Sequence, residues 1–229
     1  MNFQFSKYQA ATAIAVLFHA IGLIGILFFN RQFFVQSTVI NLLLMFVLLV
    51  WTQKEKNGYF FLFVLAAFAL GLSAEIIGVN TGALFGNYSY GDVLGYKFMK
   101  VPLIIGINWF VIIYCCGVAI HTLLMKAINR ISFETKTKPM RLKAISVIID
   151  GATIAVFFDW IMEPVAVKLG FWKWDNGDVP FYNYLCWLMV SNIMLAVFHF
   201  SKFNKQNKFA VNLLLIQMMF FLLLRTLLN

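Results

Sequence analysis

The sequence predicts an all-α fold: a polytopic integral membrane bundle of about seven transmembrane helices, forming a single membrane domain over residues 1–229. Two observations predict it. The chain is 62% hydrophobic and only 12% charged, whereas a soluble domain is about half apolar and about a quarter charged. The apolar residues also fall in runs of about 20, the length that carries a helix across a bilayer's hydrocarbon core. The net charge of +9 would point to nucleic acid in a soluble domain. Here the bases sit in short loops between apolar runs, so membrane lipid is the expected partner and nucleic acid is not.

Spans are expected at 9–30, 33–52, 59–77, 101–126, 143–166, 180–201 and 208–228. The first run has the early base of a secretory leader, Lys7, but no small-x-small cleavage site follows. Asn30-Arg31-Gln32 leads directly into the next apolar segment, so the run is read as the first span. The connections at Arg31, Thr52–Gly58 and Ser201–Lys208 are short, while Gly78–Lys100 and Val167–Val179 are long and aromatic. The loop Ala127–Leu142 is polar and basic. Twelve of the 18 Lys and Arg residues lie at the amino terminus and in the second, fourth and sixth loops. Basic loops stay cytoplasmic. The expected topology is therefore a multi-pass protein of the cell (inner) membrane, amino terminus cytoplasmic and carboxyl terminus outside, with both aromatic loops on the outer side.

A weak internal repeat runs through the centre. Val101-Pro102 leads to Asn108-Trp109, and Val179-Pro180 leads to Asn183 and Trp187, with the same Pro-to-Trp spacing. Each copy follows an aromatic-x-aromatic triplet, Tyr88-Ser89-Tyr90 or Trp172-Lys173-Trp174, and each triplet follows a helix ending near Glu75 or Glu163. If the repeat is real, residues 59–126 and 143–201 form two parallel hairpins related by an axis along the membrane normal. Coincidence stands beside this reading, because Pro at a helix start is common.

Of nine carboxylates, Glu75, Asp150, Asp159 and Glu163 lie in or near the spans. An ionisable group at membrane depth costs a few kcal/mol or more, so it points to function. Asp159 and Glu163 are i and i+4 and share a helix face. Asp150 lies about two and a half turns earlier and points roughly the other way; it is included among the candidate substrate-binding residues. Two carboxyls close together in an apolar pocket cannot both stay ionised, which leaves a proton donor at neutral pH. Such a donor suits addition to an electron-rich carbon–carbon double bond. The resulting tertiary cation would be stabilised by aromatic faces, which Tyr88, Tyr90, Trp109, Trp172, Trp174 and Trp187 can supply. A second carboxylate could take a proton from attacking water. The plainer alternative is that these acids pair with Lys or Arg at the interface or cap helices.

Other polar groups carry less. Cys115, Cys116 and Cys186 read as small buried hydrophobes. His19, His121 and His199 read as hydrogen-bonded packing residues, with no metal-ligand spacing among them. Asn212, Gln217 and Arg225 on the last span read as interhelical hydrogen bonds and an interface anchor. No metal site, phosphate loop, nucleophile elbow or dinucleotide motif is expected.

Two stretches carry a family resemblance: Gly78-Val79-Asn80-Thr81-Gly82-Ala83-Leu84-Phe85-Gly86-Asn87-Tyr88-Ser89-Tyr90, continuing to Val101-Pro102 and Trp109; and Asp159-Trp160-Ile161-Met162-Glu163-Pro164, then Gly170-Phe171-Trp172-Lys173-Trp174, Pro180, Asn183 and Trp187. Over residues 72–195 the chain resembles the membrane carotenoid biosynthesis family that contains carotenoid 1,2-hydratases of the CruF type, bisanhydrobacterioruberin hydratases among them. The first two spans and the last resemble it only in hydropathy. The resemblance implies a linear carotenoid substrate (lycopene, γ-carotene or a C50 analogue), hydrated at the terminal double bond of its ψ-end without a cofactor. It implies Glu75, Asp159 and Glu163 as the catalytic acid/base set. Asn108 and Asn183 would orient water, and the loop tyrosines and tryptophans would line the end-group pocket. Two alternatives stay open: a membrane lycopene cyclase, in which a neighbouring double bond quenches the same cation, and a non-enzymatic carotenoid- or lipid-binding or transport protein.

Overall fold

The computed structural model describes residues 6–135 and 140–228. The helices are α1 (Lys7–Phe28), α2 (Arg31–Gln36), α3 (Thr38–Thr52), α4 (Gly58–Thr81), α5 (Ile104–Thr135), α6 (Met140–Lys168), α7 (Phe181–Phe200) and α8 (Lys208–Leu227). Four short strands complete the fold: β1 (Tyr88–Tyr90), β2 (Lys97–Phe98), β3 (Val101–Pro102) and β4 (Trp172–Trp174). Seven helical stretches are long and apolar enough to cross a membrane, α2 and α3 together forming one of them.

Local chemistry sets the helix ends. Ser6 and Gln9 close a reciprocal capping box at the start of α1. Asn30 and Asn57 accept from the backbone N–H groups of Phe33 and Phe60, opening α2 and α4. The expected second span is broken at Ser37, whose hydroxyl bonds back to the Phe33 carbonyl at 2.8 Å and competes with the helical ladder. The expected fourth span begins later than read: Val101-Pro102 is strand β3, in a hairpin with β2, and the helix starts at Ile104. The loop expected at 127–142 is largely helix, since α5 runs to Thr135 and α6 begins at Met140. Its bases Lys136 and Lys138 lie outside the described residues, as do the side chains of Glu134 and Arg141.

α5 is the axis of the bundle. It packs against α3, α4, α6, α7 and α8 and is the most enclosed span. Large apolar side chains such as Leu17, Leu62, Leu65 and Ile193 face outward from the other helices, as a lipid-facing surface requires. Between helices in lipid, close packing replaces the hydrophobic effect as the adhesive. Small residues supply it here: a Cβ on Gly71 would collide with the Trp109 ring, and one on Gly78 would lie 3.0 Å from the Tyr88 hydroxyl. At one end of the bundle a buried knot joins α3, α5 and the α7–α8 connection. Tyr114 donates to Gln53 at 2.5 Å, Gln53 donates to the Asn204 carbonyl at 2.6 Å, and Asn207 donates to Tyr114 at 3.2 Å.

At the other end the two aromatic triplets meet. β1 and β4 pair antiparallel, with Tyr88 opposite Trp174, Ser89 opposite Lys173 and Tyr90 opposite Trp172. This ribbon bridges the α4–α5 and α6–α7 hairpins and roofs the space between them.

Candidate active site

Three buried carboxyls converge beneath that roof. Glu75 on α4 is 5% exposed, and Asp159 and Glu163 on α6 are 1% and 2% exposed. Helical spacing places Glu75 one turn from Gly71 and about one turn from Gly78, so the two glycines clear room on its face for Trp109 and Tyr88. Glu75 Oε2 accepts from the Tyr88 hydroxyl and from the Tyr90 hydroxyl at 2.7 Å, and its Oε1 accepts from Trp109 Nε1 at 2.9 Å. Glu163 Oε2 accepts from Trp172 Nε1 at 2.9 Å and Trp174 Nε1 at 3.2 Å. Each triplet therefore presents both rings, in strand alternation, to the carboxylate of its own hairpin. Asp159 Oδ2 accepts from Asn183 Nδ2 at 2.9 Å, while its Oδ1 is buried with no partner among the described residues.

The donors on these acids are neutral. Among the described residues no Lys or Arg forms an ion pair with any of the three; the ion pair found joins Lys97 to Asp92 at 2.7 Å. Burial, and then the neighbouring Glu75 charge, push both Tyr88 and Tyr90 well above the ordinary phenol value of 10.0, so both remain proton donors toward Glu75. Trp109 and Trp187 stack with centroids 4.1 Å apart.

The space beneath the roof has two parts. A chamber of about 20 Å³ is lined by the three acids with Tyr88, Tyr90, Trp109, Trp172, Trp174, Trp187, Asn108 and Asn183. That is room for about one water molecule. Beside it lies an apolar cavity of about 290 Å³ between α1, α2, α3, α6 and α8. Ile105, Asn108, Met162 and Trp172 line both spaces, so they form the wall or the doorway between them. Exposed Phe18, Ile21 and Ile40 stand at the rim of the larger cavity, facing the bundle's outer surface.

Eleven of the twelve expected site residues thus gather around one chamber. Asp150 does not join them. It is exposed, pairs with Ser146 on its own helix, and lies on the wrong turn of α6 to reach the chamber. Phe85 was not among the expected residues; it is buried in the chamber wall with φ of 65°. A left-handed backbone at a bulky residue costs about 1–2 kcal/mol. Period-two spacing in Tyr-x-Tyr and Trp-x-Trp is a strand signal, and it could have exposed the ribbon. The contributions of α1, α3 and α8 carried no comparable signal. His19 bonds the Ala15 carbonyl through Nδ1 at 2.7 Å, and Asn212 donates to Thr12 at 3.0 Å, both as expected of packing residues. Gln217, read as an interhelical hydrogen bond, forms none among the described residues, and its buried Oε1 is unpaired.

A family model for carotenoid biosynthesis proteins matches residues 33–229. The chain belongs to the carotenoid biosynthesis protein family. The family match extends through the second and last spans, beyond the 72–195 of the motif resemblance. Bisanhydrobacterioruberin hydratase of Haloarcula japonica is 26% identical over 215 residues, covering 86% of this chain and 68% of the relative. No solved structure matches. Family and helices together make this a multi-pass membrane protein with a carotenoid-modifying role.

Proposed function

We propose that the protein is a carotenoid 1,2-hydratase, adding water across the terminal double bond of a linear ψ-end by acid/base catalysis. The observation that carries this reading is the chamber sized for one water, ringed by three carboxyls and adjoining an apolar cavity. The similarity to a bisanhydrobacterioruberin hydratase supports it. Glu75 takes three donors, two of them from the roof strand β1, so it serves as an anchor for the roof. Asp159 Oδ1 and Glu163 Oε1 carry no partner among the described residues, which makes the α6 pair the working acid and base.

One protonated carboxyl of that pair gives its proton to the alkene CH. The π electrons form the new C–H bond, and the positive charge stays on the dimethyl-substituted carbon. Aromatic faces around the chamber stabilise the cation. Water attacks that carbon, a C–O bond forms, and the excess proton passes to the other carboxylate. Hydrogen and hydroxyl are gained together, so the balance needs no oxidant or reductant. Proton exchange between Asp159 and Glu163, one turn apart, resets the pair. Each expected repeat half, 59–126 and 143–201, brings one aromatic triplet and the carboxylate it bonds, Glu75 or Glu163, to the chamber, the second half adding Asp159, which supports treating them as copies of one hairpin.

Expression in a lycopene-producing host tests the reading: the expected product is a more polar pigment heavier by one water. Glu163→Gln and Asp159→Asn should each lower its formation by roughly 100-fold or more, the usual loss of a general acid or base, while the protein stays inserted. A pigment of unchanged mass but new retention would instead indicate cyclisation, and an unchanged pigment would indicate binding or transport.

A further inference from the structure

The knot of Gln53, Tyr114 and Asn207 closes the end of the bundle away from the ribbon. Beside it lies a cleft of about 620 Å³ between α1, α5, α8 and the α3–α4 connection. Lys54, Lys126 and Lys208 line it from three separate elements, and among the described residues no carboxylate does. Hydrogen bonds fix where two further cations stand. Lys7 Nζ at the start of α1 and Lys56 Nζ just before α4 both donate to the Gln53 carbonyl at 3.4 Å. Two ammonium groups therefore share one neutral acceptor and lie at most twice that distance apart. The Lys7 ammonium also stands 5.4 Å from the centre of the Tyr8 ring, which forms part of the cleft wall. Asn207, in the same wall, donates to Thr52 at 3.1 Å, one residue from Gln53. Among the described residues none of these lysines forms an ion pair, and the carboxylate of Glu55 beside them accepts from Asn204 at 3.1 Å. More than one turn further into the bundle than Lys126, His121 also lines the cleft. It is 9% exposed, and its Nδ1 has no partner among the described residues.

Converging cations without a carboxylate favour an anion from outside the chain. A 3.4 Å contact to a neutral carbonyl is weak, whereas an ammonium bonds an anionic oxygen at about 2.7–2.9 Å and roughly twice as strongly. A phosphate presents several such oxygens, so it can accept from both ammonium groups at once and from an imidazole N–H as well. The cleft opens where α1 and α8 begin, at the level of lipid headgroups, and half-buried Met125 and Val211 add an apolar wall beside the lysines. Basic pockets between transmembrane helices take anionic headgroups. We propose that this cleft binds the phosphate of an anionic phospholipid, held by Lys7 and Lys56 with Lys54, Lys126 and Lys208 around it. A zwitterionic headgroup brings its own ammonium, which these lysines repel. The binding is independent of the chemistry at the other end of the bundle.

The test uses the purified full chain, with native mass spectrometry counting the lipids it retains from an equimolar mixture of phosphatidylglycerol and phosphatidylcholine. Wild type should retain one phosphatidylglycerol in preference. Lys7→Gln combined with Lys56→Gln should weaken that retention roughly 25-fold, about fivefold for each lysine near a headgroup. Lys100→Gln combined with Lys173→Gln, exposed bases near the ribbon, should leave it unchanged. Should the first pair melt early, Lys56→Gln alone repeats the test, since its side chain is exposed. Equal retention of both lipids by wild type overturns the site. Equal losses in the two double variants overturn it too, as an effect of overall charge. Displacement of phosphatidylglycerol by low-millimolar inorganic phosphate overturns the lipid as occupant and assigns the cleft to a free anion.

Discussion

Gly71 illustrates how one missing side chain determines the chemistry next to it. The Trp109 ring occupies the place a Cβ would take, and that ring delivers its N–H to Glu75 one turn further along α4. Gly71→Ala should therefore push Trp109 off Glu75, at about 1–3 kcal/mol for the overpacking. A lower melting temperature in detergent together with reduced pigment hydration is the expected result; a variant that melts and turns over like wild type would separate Trp109's position from the site. The acids themselves were legible in the sequence, because a carboxylate at membrane depth has few structural excuses. The hydrogen-bond partners Tyr88, Tyr90, Trp172 and Trp174 were legible as aromatic residues near them. Gln217 and Asn41, which line the larger cavity, were not, since an amide within a span reads the same whether it faces a neighbouring helix or a cavity.

At the scale of elements, α6 carries an internal proline. Pro164 has no N–H to give, which frees the carbonyl of Trp160 four residues back. Arg225 of α8 takes up that carbonyl at 2.9 Å and lays its guanidinium over the Trp160 ring at 4.1 Å. The clamp sits between Asp159 and Glu163 in sequence, so it holds the turn that presents both. Arg225→Met should destabilise the protein by about 1 kcal/mol, the loss of a charge-assisted bond at a partly exposed position, seen as a small drop in melting temperature. Unchanged stability would mean that water satisfies the carbonyl equally well. Hydropathy located all seven spans to within a few residues, because burial in lipid selects for an unbroken apolar run. It could not reveal the break at Ser37, the strand at Val101-Pro102 or the helical ends of α5 and α6. Those depend on a hydroxyl bonding its own backbone and on helices continuing past the lipid boundary.

For the whole molecule, the charge bias between loops predicts that the ribbon of β1 and β4 faces away from the cytoplasm. The three native cysteines are buried, so a cysteine introduced at Tyr96, which is 77% exposed, would report cleanly. A membrane-impermeant maleimide added to intact cells should label Tyr96→Cys; labelling only after lysis would reverse the topology. The bundle also divides its interior by size, a long greasy hall beside a cell for a single small guest. Methanol is roughly twice the bulk of water, whose share of liquid volume is about 30 Å³, so it should not fit the nucleophile's berth. Turnover in methanol-containing buffer is therefore expected to yield the alcohol alone, and mass spectrometry finding a methyl ether would mean that the enclosure breathes during the reaction.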